Sequence, residues 1–185
     1  MTCCIALLRG INVGKAKRIA MADLRALMEK LGFTEVRTLL NSGNVVFQAS
    51  RPNPRKIAVA LESAIEQHCG FHATVVVLTA TTLDLIITEN ALLPEASREP
   101  SRFLVAFALE ATPLLKKIEP LAGRPWKPEA LCVGSTAAYL WCANGILESK
   151  LLQAFMPAAS GLVTTRNWAT VLKLQAMTRA DAKAR

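Results

Sequence analysis

Two stretches of this sequence show the same succession of apolar runs, turns and helical patterns, which restricts the chain to a small set of folds. In the first stretch, Cys3 to Arg9 is an apolar run of strand length that ends at Gly10. Residues 21–31 then carry apolar side chains at helical spacing, and Gly32 follows them in the position that commonly ends a helix. The pattern therefore begins with a strand and a helix.

The remainder of the first stretch completes a β-α-β-β-α-β order. Its glycines and prolines fall between the apolar segments, where turns and helix ends are expected. The predicted elements are a strand at 35–40, a turn at Asn41-Ser42-Gly43, a strand at 44–48, a helix opened by Pro52 and Pro54 and closed by Gly70, a valine-rich strand at 72–78 and a short helix to Ile87.

The same order returns after residues 91–101, a polar segment with Pro94 and Pro100 that we predict to be a linker. The second set comprises a strand at 102–109, a helix from Pro113, a hairpin of 130–133 with 137–142, a helix capped by Ser149, a strand at 162–164 and a last helix containing Trp168. We therefore predict an α+β fold of two ferredoxin-like β-α-β-β-α-β repeats, at 1–90 and 102–185, each followed by an extra helix.

Composition narrows the class of protein. Hydrophobic residues make up 52% of the chain and charged residues 19%, which excludes disorder. No apolar run approaches the roughly 18 residues of a membrane-spanning helix, so we expect no membrane partner. The start of the chain lacks the pattern of a secretory signal, and an odd number of cysteines, five, is typical of reduced thiols, so we expect a cytoplasmic protein.

Basic residues are concentrated near the start of the chain. The net charge is +8, and Arg9, Lys15, Lys17 and Arg18 all precede the first acidic residue, Asp23. Such a surface favours an anionic small molecule or a nucleic acid as partner, although the charge also serves solubility. The loop carrying these cations lacks the Gly-Lys-Ser/Thr ending of a phosphate-binding P-loop, and no cofactor motif is present.

The predicted topology brings three loops to one end of the first sheet. These are the loop after the first strand, the turn between the second and third strands, and the loop before the fourth. Glycines there allow close backbone approach, and asparagines can orient a ligand, although both residue types are also what tight turns require. The predicted ligand-binding residues are Arg9, Gly10, Asn12, Gly14, Lys15, Lys17, Asn41, Ser42, Gly43 and Asn44, with Arg166 at the start of the last helix.

Several short blocks resemble a known family. Residues 7–14 (LLRGINVG), 21–25 (MADLR), 39–47 (LLNSGNVVF) and 164–168 (TTRNW) are similar to the bacterial family called domain of unknown function sixteen ninety-seven. The resemblance implies a two-repeat α+β protein. It implies no activity, because the family has no established function.

Two other classes of function stay open. Ser42 and His68 fall at the same predicted end of the sheet, so an enzyme using this pair on a small substrate is one alternative. A protein-interaction module, with an oligomeric state that the sequence does not give, is the other. His68, Cys69 and His72 are metal-ligand residue types without a second cluster, so we predict no metal site. Four aromatic residues of the second repeat are expected in its core rather than on a nucleic-acid surface: Phe103, Phe107, Tyr139 and Trp141.

Overall fold

The computed structural model describes residues 1–14, 16–108, 110–161 and 163–183. Two compact units make up the chain, one of Met1–Leu83 with Leu174–Arg185 and the other of Asp84–Lys173. The predicted site residue Lys15, and the predicted strand residues Leu109 and Leu162, lie outside the described residues. No helix in the described part of the chain is long and apolar enough to cross a membrane.

The first seven elements follow the β-α-β-β-α-β-α order predicted from the sequence. They form a four-stranded antiparallel sheet in the order β2-β3-β1-β4, with helices packed on it. Their bounds are β1 (Thr2–Arg9), α1 (Met21–Lys30), β2 (Thr34–Leu39), β3 (Asn44–Ala49), α2 (Pro54–Cys69), β4 (Thr74–Thr79) and α3 (Ala80–Thr88).

The core of the first unit follows the two periodicities of its elements. Alternate residues of β1, such as Ala6 and Leu8, share a face with Phe47 of β3. Leu24 and Leu61, from the apolar stripes of α1 and α2, pack into the same core. These side chains are fully buried, so the sheet and the two helices hold the loops at the sheet ends in place.

The remaining eight elements repeat the arrangement. A second four-stranded antiparallel sheet has the order β6-β7-β5-β8. This is the order of the first sheet, with β5 to β8 in the positions of β1 to β4. The bounds are α4 (Leu93–Arg98), β5 (Phe103–Ala108), α5 (Ala111–Ala122), β6 (Ala130–Val133), β7 (Ala137–Trp141), α6 (Lys150–Ala158), β8 (Val163–Asn167) and α7 (Trp168–Lys183). The repeated α+β fold predicted from the sequence is confirmed.

Capping side chains account for several helix boundaries. Ser149 Oγ accepts a hydrogen bond from Leu152 N at 2.9 Å, so the predicted cap of α6 is confirmed. Asn53 caps α2 in the same way, through Lys56 N at 3.1 Å. The last helix is capped by Asn167, whose Oδ1 accepts from Thr170 N at 2.9 Å.

The segment predicted to be a linker is partly helical. Residues 93–98 form α4, with Pro94 in its first turn and Ala96 fully buried, so Pro94 marks a helix start rather than an extended connection, and Pro100 follows the helix. The compact units also differ from the predicted division, because residues 174–185 join the first unit. Arg37 Nη2 in β2 donates to Met177 O at 3.2 Å within that unit. The boundaries 1–90 and 102–185 stay a prediction for the domains.

Candidate functional site

Three loops of the first unit are joined at one end of its sheet. Leu8 N donates to Gly43 O at 2.8 Å, which connects the end of β1 with the β2–β3 turn. Lys17 Nζ donates to His72 O at 3.3 Å, which connects the loop after β1 with the approach to β4. The loops that topology was expected to bring together are therefore in contact.

Asn12 holds the loop between β1 and α1. Its Nδ2 donates to Ile19 O and to Asn41 O, both at 2.9 Å, and its Oδ1 accepts from Ile19 N at 3.0 Å. Its backbone N donates to Lys17 O at 2.9 Å. Asn12 has a φ of 55°, a left-handed conformation that asparagine tolerates better than most residues. The side chain predicted to orient a ligand thus closes the loop and fixes the β2–β3 turn.

Gly43 is required by close packing. A Cβ atom at this position would meet Ile11 Cδ1 and Leu8 Cβ at 2.7 Å, well inside van der Waals contact, and the φ of Gly43 is +75°. Gly10 also has a positive φ, +73°, but a Cβ there would have no neighbour within 4 Å. Glycine at 43 therefore serves the turn's packing, whereas glycine at 10 serves backbone conformation alone.

Asn44 stabilises the β2–β3 turn from inside the protein. Its side chain is fully buried, and Nδ2 donates to Leu39 O at 2.9 Å and to Ser42 Oγ at 3.0 Å. These bonds close the turn on itself. Ser42, by contrast, is exposed at the tip of the turn.

A cleft of about 470 Å³ opens beside this loop, at the start of α1. Backbone and side-chain atoms of the loop, the helix start and the turn line it: Asn12, Arg18, Ile19, Ala20, Met21 and Asn41. Ala20 is the N-cap of α1 and gives the helix no side-chain cap, and the backbone bond from Leu24 N to Ala20 O is 3.0 Å long. The N–H groups of the first turn therefore have no capping oxygen from Ala20.

The cleft contains a minority of the predicted ligand-binding residues. Asn12 and Asn41 line it, both with the bonds described above. The lining does not include the other described candidates of the first unit: Arg9, Gly10, Gly14, Lys17, Ser42, Gly43 and Asn44. Arg18 was not among the predicted site residues, although it belongs to the run of four cations that precedes Asp23 and could have been found there.

Arg166 belongs to a strand, not to the start of the last helix. It lies in β8 opposite Val105 of β5, and α7 begins two residues later, at Trp168. Its Nη1 donates to Thr164 Oγ1 at 2.9 Å and to Thr165 O at 2.8 Å. Burial lowers the pKa of the Arg166 guanidinium to about 10. Arg166 is part of the second unit, and its described bonds hold the end of β8.

Ser42 and His68 do not line the cleft. Both are exposed, His68 in the last turn of α2. A hydroxyl nucleophile requires a base in hydrogen-bonding reach and a pocket that excludes water. Because both side chains are exposed and outside the cleft, they lie in no water-excluding pocket that the structure describes, so the hydrolytic alternative gains no specific support.

The fold and the cleft define a protein of two similar α+β units, with a loop-lined cleft at the end of one sheet. The family described as a protein of unknown function, DUF1697, matches residues 1–139, and the chain belongs to that family. Among solved structures, the conserved bacterial protein SP0830 from Streptococcus pneumoniae is similar over 96% of this chain and 98% of its own, with a TM-score of 0.78 and 24% sequence identity. That likeness shows the fold. No curated protein matches the chain.

Proposed function

We propose that this protein binds an anionic ligand, without catalysing a reaction, in the cleft beside α1. The observation that carries the proposal is the start of α1, which lines the cleft together with Arg18 and has no side-chain cap from its N-cap residue. A phosphorylated small molecule is the favoured ligand and a nucleic acid the alternative.

The start of α1 supplies the first part of the binding chemistry. The initial N–H groups of a helix have no partner within the helix, and together with the helix dipole they attract anions. In α1 these are the N–H groups of residues 21–23, and Met21 lines the cleft. A phosphate oxygen could accept hydrogen bonds from them.

Arg18 supplies the charge. Its side chain is exposed, lines the cleft and donates from Nη2 to Gly14 O at 2.7 Å. A guanidinium carries five N–H groups, and this bond uses one of them while fixing the position of the group. Arginine is suited to phosphate because its planar fork can donate two parallel hydrogen bonds.

The size of the cleft favours a small molecule over a polynucleotide. A volume of about 470 Å³ lies within the range of small-ligand sites. Single-stranded nucleic acids are bound mainly by stacking on exposed aromatic side chains. Phe103, Phe107, Tyr139 and Trp141 are all buried, as expected from the sequence. The aromatic residues of the second sheet therefore offer no stacking surface.

The test is a binding measurement on wild type and two charge-matched variants. Ribose 5-phosphate, AMP and a single-stranded RNA 12-mer are titrated by calorimetry at low and moderate salt. Arg18→Ala removes the cation in the cleft, and Lys30→Ala removes the same charge from the other end of α1, where the side chain is also exposed.

We expect a phosphorylated small molecule to bind wild type and Lys30→Ala within about twofold of each other. Arg18→Ala should weaken binding by roughly 10- to 100-fold, the effect of losing a charge-assisted hydrogen bond. Binding of the RNA alone would overturn the small-molecule assignment. Equal losses in both variants, or no binding of any of the three compounds, would overturn the proposed function.

A further inference from the structure

A second cavity, of about 310 Å³, lies in the second unit next to the start of α6. It is formed by the loop before β6, the loop after β7 and the first residue of α6. Its lining is Pro125, Trp126, Lys127, Pro128, Glu129, Asn144, Glu148 and Lys150. The proposed function uses none of these residues.

Glu129 is the unusual member of this lining. Its side chain is only 7% exposed, although carboxylates are seldom buried without being paired. One oxygen, Oε2, accepts a hydrogen bond from Leu151 N at 2.9 Å and so satisfies a backbone N–H at the start of α6. The other oxygen, Oε1, is buried and accepts no hydrogen bond from any residue that the structure describes.

The missing partner must be a hydrogen-bond donor, because an ionised carboxylate only accepts. Trp126 lines the same cavity, and its indole is held in place because Nε1 donates to Leu121 O at 2.8 Å. The face of an indole ring attracts cations. A buried carboxylate and a fixed indole in the lining of one cavity form a suitable environment for an ammonium group.

The charges at the cavity rim restrict the ligand further. Lys127 and Lys150 are exposed there, together with Glu148. With Glu129, the lining carries two positive and two negative formal charges. The two lysines oppose a ligand with several positive charges and can pair with a carboxylate. A molecule with one ammonium and one carboxylate therefore matches this cavity better than a polyamine does.

We propose that this cavity binds a small zwitterionic amine of the amino-acid type, whose ammonium group turns the Glu129 carboxylate toward the cavity and donates to its Oε1, and whose carboxylate pairs with Lys127 and Lys150. The site is independent of the anion-binding cleft, so either proposal can fail without the other.

The probes are glycine, L-leucine and two compounds that each lack one charge of leucine. Isopentylamine has no carboxylate, and 4-methylpentanoate has no ammonium group. Each is titrated into the ¹⁵N-labelled protein to about 10 mM, a range that detects millimolar dissociation constants. The readout is the indole N–H resonance of Trp126, assigned by its loss in Trp126→Phe.

We expect at least one of the two amino acids to shift the Trp126 resonance with saturation, isopentylamine to bind more weakly, and 4-methylpentanoate to cause no shift. Glu129→Gln keeps an oxygen to accept from Leu151 N and replaces the acceptor at Oε1 by a donor. This variant should fold and bind the amino acid at least tenfold more weakly.

A second variant keeps the proposal testable if Glu129→Gln fails to fold. Lys150→Met removes an exposed charge, so it should weaken amino-acid binding about threefold while leaving isopentylamine binding unchanged or tighter. Absence of any shift with both amino acids, binding of 4-methylpentanoate alone, or equal amino-acid affinity in wild type and Glu129→Gln would overturn the proposal.

Discussion

Asn12 and Asn41 are joined by a 2.9 Å hydrogen bond from Asn12 Nδ2 to the Asn41 backbone carbonyl, which fastens the loop after β1 to the turn between β2 and β3. The same side chain also makes two bonds to the backbone of Ile19, one residue before the N-cap of α1. Asn12 therefore fixes the relative position of the loop and the turn that line the cleft, and it would contribute to the proposed binding through the shape of the loop.

We predict that Asn12→Ala lowers the free energy of unfolding by about 4 kcal/mol. It removes three side-chain hydrogen bonds, each with a net contribution of about 1 kcal/mol, and places alanine at a left-handed φ. Urea unfolding followed by circular dichroism measures the loss. Asn12→Gly is the matched control, because glycine accepts this φ and loses only the side-chain bonds. Wild-type stability in both variants would contradict this account of the loop.

The two glycines of this region provide a second comparison. Gly43→Ala should destabilise the protein by about 2–4 kcal/mol, because its Cβ would collide with Leu8 and Ile11 and its φ is left-handed. Gly10→Ala carries the backbone strain without a collision, so its cost should be about 1 kcal/mol. Urea unfolding of each variant, compared with wild type, measures the two losses of stability. Equal losses at the two positions would show that strain alone determines the cost.

The sequence predicts the order of the elements well because the glycines and prolines that end helices and strands are local signals. Gly70, for example, has a left-handed φ of 71° at the end of α2, where the sequence places it. Residues 163–167 illustrate the limit of such signals. The polar TTRN segment was expected to lead into a helix, but pairing with β5 extends β8 through Asn167. Pairing between strands far apart in sequence is a tertiary effect that a local pattern does not contain.

The candidate site is predicted less completely than the fold. The sequence correctly brings the basic loop and the asparagine turn together, but it does not show which polar groups are occupied by the backbone. Asn12 reaches across 29 residues to Asn41, and only the folded chain reveals that bond. Glu129 is a similar case, because an isolated glutamate between a proline and an alanine gives no sequence signal of burial.

Asp23 gives a third prediction, on ligand affinity. It lies in the first turn of α1, where its negative charge opposes an anion in the cleft. Asp23→Asn should therefore tighten binding of a phosphorylated ligand by about two- to fivefold at low salt, and the gain should shrink as salt screens the charge. Calorimetric titration at two salt concentrations measures both effects. Glu29→Gln, an exposed carboxylate in the last turn of α1, is the control and should leave the affinity unchanged.

The fourth prediction concerns Cys4, at the centre of the first sheet. Burial raises the pKa of its thiol from 9.0 to about 11. In the unfolded chain the thiol loses its proton near pH 9, whereas the folded protein retains it to about pH 11. Between these values the unfolded state binds fewer protons, so the contribution of Cys4 to stability falls as the pH rises.

Comparison with Cys4→Ala isolates this contribution, because other groups titrate alike in the two proteins. The buried thiol should make wild type more stable than the variant by a constant amount up to pH 8. From pH 8 to pH 11 that difference should shrink by about 2 kcal/mol, since each pKa unit corresponds to about 1.4 kcal/mol. Urea unfolding at one-unit pH intervals measures it. Cys4 is fully buried in β1, between β3 and β4. A stability difference that stays constant to pH 11 would contradict this burial, because it would mean that water reaches the sulfur and that the folded sheet tolerates the thiolate.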